Sequence, residues 1–181
     1  NVTAWSWSFG DGETSTQQSP VHTYAAAGTY TVTLNASNAY GYDLSTQTNL
    51  ITVLTPPAAA FTANVTGGNA PLTVQFTDTS TGDIDDRYWV FGDGQTSTQP
   101  NPIHTYLEPG IYTVTLTVSN AYSSDTSPAT EVTVLSPPAA SFTQNVTGGN
   151  APLAVQFTDT STGNVTAWSW SFGDGETSTQ Q

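Results

Sequence analysis

The chain of 181 residues contains neither cysteine nor methionine, and its 14 acidic residues stand against a single basic one, Arg87. The formal net charge of −13 repels phosphate groups, which argues against nucleic acid and anionic membrane surfaces as partners. The lack of cysteine excludes disulfides and thiolate metal sites, and no apolar run reaches the roughly 18 residues of a membrane span, so we expect no membrane insertion in this segment.

Apolar and polar residues alternate with a period of two in several short stretches along the chain. Residues 5–9 alternate between aromatic side chains and serine, and residues 30–37 continue the pattern over a longer stretch. The pattern returns at 72–76 and at 112–118, and no stretch of helical length has an apolar face. Glycine and proline turns separate the stretches. The sequence therefore predicts an all-β fold, an antiparallel β-sandwich.

Long stretches of the sequence occur more than once. Residues 1–18 and 164–181 are identical, and the segment 55–82 returns with few changes at 136–163. The motif FGDG occurs three times, at a spacing of about 81 residues. We interpret the chain as a window on a longer tandem array, whose two-unit period begins again at residue 164. The predicted domains are 1–55, the C-terminal part of a unit; 56–136, a complete unit; and 137–181, the N-terminal part of the next unit.

The combined motifs of each unit resemble a known family. WSFGDGETSTQQSPVHTYAAAGTYTVTLNASN begins at Trp7, and WVFGDGQTSTQPNPIHTYLEPGIYTVTLTVSN begins one unit later at Trp89. Both are similar to the polycystic-kidney-disease (PKD) domain, as is the preceding NVTGGNAPLTVQFTDTSTG. The chain departs from the family at Ser8, Val90 and Ser171, where Asp is usual. The resemblance covers essentially the whole chain. It implies tandem immunoglobulin-like sandwiches used outside the cell, as in archaeal and bacterial surface-layer and adhesion proteins and in accessory modules of secreted hydrolases.

The residues that recur in each unit are interpreted as structural. No Lys and no helical pattern follow the Gly-Asp-Gly of FGDG, which favours a tight turn with Asp capping its own backbone over a phosphate cradle. His22 and His104 occupy equivalent positions in successive units, which is typical of a structural feature and not of a catalytic base. Tyr30 and Tyr112 stand where a tyrosine corner is expected, and most tryptophans are assigned to the core. We therefore predict no catalytic residue, no required cofactor and no enzymatic activity.

Acidic residues cluster in one loop of the middle unit. GDIDDRYW places Asp83, Asp85 and Asp86 together, and Asp125 lies in a later loop. Calcium takes several oxygen ligands from flexible loops, and some PKD domains bind calcium through a comparable loop, so the resemblance implies a calcium site at these four residues. A solvated acidic loop is the alternative, because the flanking units carry GNVTAW instead.

The sequence contains five sequons of the form N-x-S/T, which are N-glycosylation acceptors in a secreted protein. Asn35 is expected on the outward face of its strand, where a sugar would not disturb a core. We predict covalent N-glycans on at least one of these residues. The five candidates are Asn1, Asn35, Asn64, Asn145 and Asn164.

Two functions of different class remain open at the level of sequence. The near-identity of the units favours a structural protein of an extracellular filament, sheath or surface layer, whose partner is itself, either in a continuous covalent array or in a head-to-tail filament of separate chains. The alternative is an adhesin or a carbohydrate- or protein-binding accessory module of a secreted protein. Only the difference between Trp5 or Trp168 and Arg87 at the equivalent position hints at a unit-specific binding patch. Both functions place the chain outside the cell or at its surface.

Overall fold

The computed structural model describes all 181 residues and consists of strands and connecting loops, with no helix. The sheets are antiparallel, apart from one short parallel pairing of residues 67–69 with 133–135. The predicted all-β, immunoglobulin-like architecture is confirmed.

Before residue 54 the strands are β1 (Ala4–Ser8), β2 (Thr14–Ser15), β3 (Gly28–Asn38) and β4 (Gly41–Val53). From 54 to 135 they are β5 (Phe61–Ala63), β6 (Gly67–Asn69), β7 (Leu72–Asp78), β8 (Asp86–Val90), β9 (Thr96–Ser97), β10 (Ile103–Tyr106), β11 (Gly110–Ser119), β12 (Ser124–Thr126) and β13 (Thr130–Leu135). After 136 they are β14 (Phe142–Gln144), β15 (Phe157–Asp159), β16 (Trp170–Ser171) and β17 (Thr177–Ser178).

The contacts of the chain divide it into two compact units. The first contains one four-stranded sheet in the order β2-β1-β3-β4. The second contains a three-stranded sheet in the order β10-β7-β5, a six-stranded sheet built around β13, β11 and β8, and two isolated strand pairs after residue 141. The first unit comprises Asn1–Ala58, Thr81–Asp85 and Ser119–Asp125; the second comprises Ala59–Ser80, Asp86–Val118 and Thr126–Gln181.

In the first unit, β3 lies between β1 and β4. Its pairing with β1 runs from Ala4 opposite Ser37 to Ser8 opposite Thr33. The pairing with β4 has a bulge between Tyr30 and Val32. The bulge explains why the sequence between Tyr40 and the following Pro-Pro pair is one residue longer than its counterpart in the next unit, because a bulge takes up extra residues on one strand.

The core of the second unit is formed by the alternating residues that the sequence singled out. On β11, Val114, Leu116 and Val118 are fully buried, and the polar residues between them are half-buried. Burial of aromatic and branched side chains at this period is what a sheet with one face inward requires. The fully buried side chains are Trp89, Tyr106, Phe76, Leu116, Val74, Val114, Val118 and Val132.

The predicted tyrosine corners are present in the first and middle repeats. The Tyr112 hydroxyl donates a hydrogen bond to the Glu108 carbonyl at 2.8 Å, and the Tyr30 hydroxyl donates one to the Ala26 carbonyl at 2.7 Å. Each bond spans four residues and fastens the start of the long strand to the loop that enters it.

Two glycines of the FGDG turn provide a matched test of its packing. Gly92 and Gly94 both have a φ of 88°, which strains any L-residue by about 1–2 kcal/mol. A Cβ on Gly92 would lie 2.6 Å from the Thr113 backbone nitrogen, whereas a Cβ on Gly94 would meet nothing within 4 Å. We expect Gly92→Ala to lower the free energy of unfolding clearly more than Gly94→Ala, as measured by amide hydrogen exchange of β11. Equal losses would contradict the close approach of turn and strand.

Candidate functional site

Each FGDG turn is capped by its own aspartate. The Asp93 carboxylate accepts a hydrogen bond from the Gln95 amide at 3.0 Å. Asp11 caps Glu13 in the same way in the first unit. Such a two-residue bond is the Asx turn that short acidic side chains favour. The prediction of a self-capped turn is confirmed.

The other oxygen of that aspartate binds a histidine, a contact that sequence reasoning missed. Asp93 Oδ2 lies 2.7 Å from His104 Nε2, and the His104 ring stacks on Phe91 with centroids 4.2 Å apart and planes only 3° from parallel. The first unit repeats the contact between Asp11 and His22 at 2.6 Å. We name this arrangement of turn aspartate, histidine and phenylalanine the His-Asp clamp. It joins the turn to the segment that follows it. The separation of Asp and His by 11 residues in both units was the available sequence signal.

The clamp shifts the ionisation of its aspartate. Burial alone would raise the pKa of Asp93, but hydrogen bonds from the Gln95 amide and from His104, together with the charge of His104, outweigh burial and leave the pKa below its usual value. Asp11 follows the same pattern. The carboxylate form is therefore part of the folded structure.

The clamp predicts a specific loss of stability in acid. Because the pKa of Asp93 is lower in the folded than in the unfolded chain, its stabilisation is complete above the unfolded value of about 4 and disappears as the pH falls through the lower folded value. Asp93→Asn should lower the free energy of unfolding at neutral pH, and it should make that free energy fall less steeply as the pH is lowered. Denaturant titrations at a series of pH values from neutral downward measure both effects. Asp86→Asn, which removes the same charge outside the clamp, is the control. If the free energy of unfolding of Asp93→Asn falls as steeply with pH as that of the parent chain, Asp93 does not stabilise the fold through the clamp.

A second aspartate receives a different donor in the middle repeat and in the last. Arg87 Nε donates to Asp78 Oδ2 at 2.6 Å, and at the equivalent place Trp168 Nε1 donates to Asp159 Oδ2 at 2.7 Å. Burial would raise the pKa of Asp78, but hydrogen bonds from Ser80 and Arg87 and the guanidinium charge lower it. The two donors perform the same structural task, so the Arg/Trp difference is not by itself a mark of a binding patch.

The acidic loop of the middle repeat is partly engaged in backbone contacts. Asp83 Oδ2 accepts a hydrogen bond from the Thr55 amide at 2.6 Å, and the Asp83 carbonyl accepts one from the Asn120 side chain at 3.1 Å. Asp85, Asp86 and Asp125 are exposed. No group of three or more acidic or histidine side chains is arranged to hold a metal ion. Calcium at these four aspartates stays a prediction, and a calorimetric titration with calcium decides it.

The five sequons occupy different environments. Asn1, Asn64, Asn145 and Asn164 are exposed. Asn35 is half-buried, and its side-chain oxygen is inaccessible to solvent and has no hydrogen-bond partner. The reason is its place on the middle strand β3, opposite Ser6 of β1 on one side and Leu44 of β4 on the other. Glycan occupancy at all five stays a prediction.

The segment after residue 136 presents an open aromatic groove. Phe142 packs against Phe157 with ring centroids 6.0 Å apart and against Trp170 at 5.6 Å. The groove that they line has a volume of about 410 Å³. Phe157 is 37% exposed, whereas Phe76, its counterpart in the middle repeat, is completely buried. We name this surface, lined by residues 138–172, the open aromatic face.

Sequences that are identical or nearly so form strands of different length in different repeats. Gly-Gly-Asn is β6 at 67–69, paired with β13, but the same tripeptide at 148–150 is not a strand. AWSWS is a five-residue strand at 4–8, where β3 lies beside it, but at 167–171 only the last two residues are in a strand. Since the residues are the same, the presence of a neighbouring strand accounts for the difference.

These features define a class, an immunoglobulin-like β-sandwich built of tandem repeats. The family model of the PKD domain matches residues 1–53, 54–134 and 135–181, and the chain belongs to this family. PKD domains are non-catalytic modules, and those of secreted proteases are extracellular. No part of the structure is a helix with the length and apolarity needed to cross a membrane.

Related proteins include a collagenase and a metalloprotease. Collagenase ColA of Bacillus cereus is 32% identical over 115 residues, which make up 58% of this chain and 12% of the collagenase. Pre-pro-metalloprotease PrtV of Vibrio cholerae is 36% identical over 97 residues, or 52% of this chain and 10% of that protein. The matched region is thus a small part of each relative.

Among solved structures, the PKD1 domain of Vibrio cholerae PrtV is 38% identical, with a TM-score of 0.39, and the alignment covers 44% of this chain and 96% of that domain. The PKD1 domain of Vibrio anguillarum Epp is 31% identical, with a TM-score of 0.38, and the alignment covers 45% of this chain and 99% of that domain.

Proposed function

We propose that the chain is part of a non-catalytic, extracellular structural array of PKD domains, in a filament, sheath or surface layer. The observation that carries this proposal is the near-identity of successive repeats, down to their internal contacts. The His-Asp clamp and the tyrosine corner recur with nearly the same geometry in the first and middle repeats. Identical units make identical junctions, and identical junctions give a uniform rod.

The connectors between repeats support the proposal. The Asp83 amide donates to the Thr55 carbonyl at 3.1 Å, and the Asn164 amide donates to the Ser136 carbonyl at 3.0 Å. Each bond holds the residue just before a Pro-Pro pair to the loop of the repeat that follows. Proline pairs are themselves stiff. A connector that is both stiff and hydrogen-bonded suits a rod better than a flexible tether.

Surface chemistry is consistent with an extracellular location. The chain has one basic residue in 181, so trypsin-like proteases find a single cleavage site, after Arg87. Four of the five sequons are exposed, and we propose N-glycans on at least one of them. The high negative charge keeps neighbouring rods apart through repulsion.

An accessory role in a secreted enzyme is the second candidate, and the matches to two proteases favour it. In that case the chain would hold or orient a catalytic domain, or bind its target. The exposed side chains of the β3–β4 hairpin would be the first place to look for such binding, since Tyr40 is 98% exposed and Tyr42 is 72% exposed.

Electron microscopy of the native extracellular material separates the two candidates. The structural proposal predicts continuous fibres or sheets with an axial repeat of two sandwich domains, and glycopeptides at exposed sequons in mass spectra of the same material. Short flexible beads that end in a different domain would overturn it and favour the accessory role.

A further inference from the structure

We infer that N-glycans are attached to Asn64 and to its repeat equivalent Asn145, where the sugar covers the free edge of β5 and of the matching strand β14. This inference rests on the proposed function, because an N-glycan requires a secreted chain. It adds which residues accept the sugar and what the sugar does there. Asn64 lies in the complete middle repeat, so its surroundings are those of a finished sandwich.

The side chain of Asn64 is held through its oxygen, which leaves its nitrogen available. Asn64 Oδ1 accepts a hydrogen bond from the Gln75 amide at 2.8 Å, and the Asn64 amide donates to the Gln75 carbonyl at 3.1 Å. Asn145 makes the same two bonds with Gln156, at 2.8 and 3.1 Å. Because a glycan is attached to the side-chain nitrogen, the sugar leaves both bonds in place.

The acceptor triplet at Asn64 lies outside the strands. Residues 64–66 connect β5 to β6, and all three are exposed. A glycosyltransferase recognises the asparagine together with the hydroxyl residue two positions later, and here it reaches both without opening a sheet. The triplet 35–37 differs, because it lies in the middle strand β3, which pairs with β1 on one side and β4 on the other. We therefore expect no sugar on Asn35.

The transfer requires a sugar donor with a phosphate leaving group, and a lipid-linked oligosaccharide is the class of donor that supplies one. Asn64 Nδ2 forms a bond to the anomeric carbon of the oligosaccharide as the bond between that carbon and the phosphate oxygen breaks. The nitrogen loses one proton, and the lipid phosphate departs with the bonding electron pair. The product is a neutral amide whose oxygen still accepts the hydrogen bond from Gln75, and nothing is oxidised or reduced.

β5 forms a free edge of its sheet. The order of that sheet is β10-β7-β5, so β7 lies on one side of β5 and no strand lies on the other. Antiparallel bonds continue beyond β5 to Ala58 at one end and to Asn64 at the other. The segment 58–64 contains neither a charged residue nor a proline, and these are the usual means by which proteins prevent edge-to-edge pairing.

The other edge strands of the middle repeat have protection of their own. Pro102 directly precedes β10, and Pro71 and Pro128 follow β6 and β12 after one residue. β9 has only two residues. Proline lacks the amide hydrogen that edge pairing needs. β5 has no such protection, and a glycan at its end supplies it, because a bulky, hydrated group prevents a second edge from approaching.

The arrangement recurs in the last repeat. Residues 142–147 have the sequence FTQNVT where residues 61–66 have FTANVT, and β14 pairs with β15 as β5 pairs with β7. Both repeats therefore carry the same acceptor at the same edge, about 81 residues apart. A regular row of sugars keeps neighbouring rods apart and adds to the charge repulsion between them.

Peptide mapping of the native extracellular material tests the acceptor residues. A protease that cleaves after aspartate and glutamate gives each sequon a peptide of its own: 44–78 contains Asn64, 132–159 contains Asn145, and 14–43 contains Asn35. We expect glycan masses on the first two peptides and none on 14–43. A bare 44–78 or 132–159 peptide, or a sugar on 14–43, would overturn the inference.

Substitution of the hydroxyl residue tests what the sugar does. Thr66→Ala with Thr147→Ala removes both acceptor triplets without changing an asparagine, whereas Thr66→Ser with Thr147→Ser keeps them. Light scattering of the secreted chains is compared at high salt, which screens the net charge of −13. The alanine chain should assemble at a concentration about tenfold lower than the serine chain, as expected when a few strand pairs form.

Equal assembly of the alanine and serine chains would overturn the protective role of the sugar. The Gln75 amide should be equally protected from hydrogen exchange in both chains, which shows that the alanine chain is folded. Fibres in electron micrographs together with a bare 44–78 peptide would overturn the glycan inference and leave the structural array standing. Glycosylated Asn64 in short beads that end in another domain would overturn the array and support the acceptor assignment.

Discussion

Each strand in this fold depends on a neighbour to accept and donate the hydrogen bonds along its edge. The repeats demonstrate this dependence directly, because the same tripeptide is β6 at 67–69 and irregular at 148–150. Local propensity is equal at the two places, so the neighbouring strand decides. The middle repeat buries Phe76 completely and leaves Phe91 only 2% exposed, whereas the matching Phe157 and Phe172 of the last repeat are 37% and 40% exposed.

The interactions that recur in the first and middle repeats fasten loops to strands. The His-Asp clamp joins a turn to the segment after it, and the tyrosine corner joins the start of the long strand to its preceding loop. Both are already formed in the partial first repeat. The turn and strand geometry of the first repeat therefore forms from contacts within residues 9–30. The same property suits a long array, in which any repeat needs only its own two halves.

Much of the fold could be predicted from the sequence, because a period of two identifies the buried face without knowledge of the pairing. Val114, Leu116 and Val118 are buried as their alternation indicates. Contacts that need three-dimensional proximity could not be predicted, such as Asp93 with His104 or the shared role of Arg87 and Trp168. The partial burial of Asn35 could not be predicted either, because the pattern gives the face of a residue but not whether strands flank it on both sides.

Amide hydrogen exchange of the chain in dilute solution tests most directly whether the neighbouring strand controls order in each repeat. We predict that the Phe76 amide exchanges about a hundredfold or more slowly than the Phe157 amide, because only the Phe76 amide has a backbone acceptor, the Pro102 carbonyl next to β10. Gln75 and Gln156, whose amides donate to Asn64 and Asn145 in the same way, should differ much less. Equal protection of the two phenylalanine amides would contradict the dependence of each strand on its neighbour.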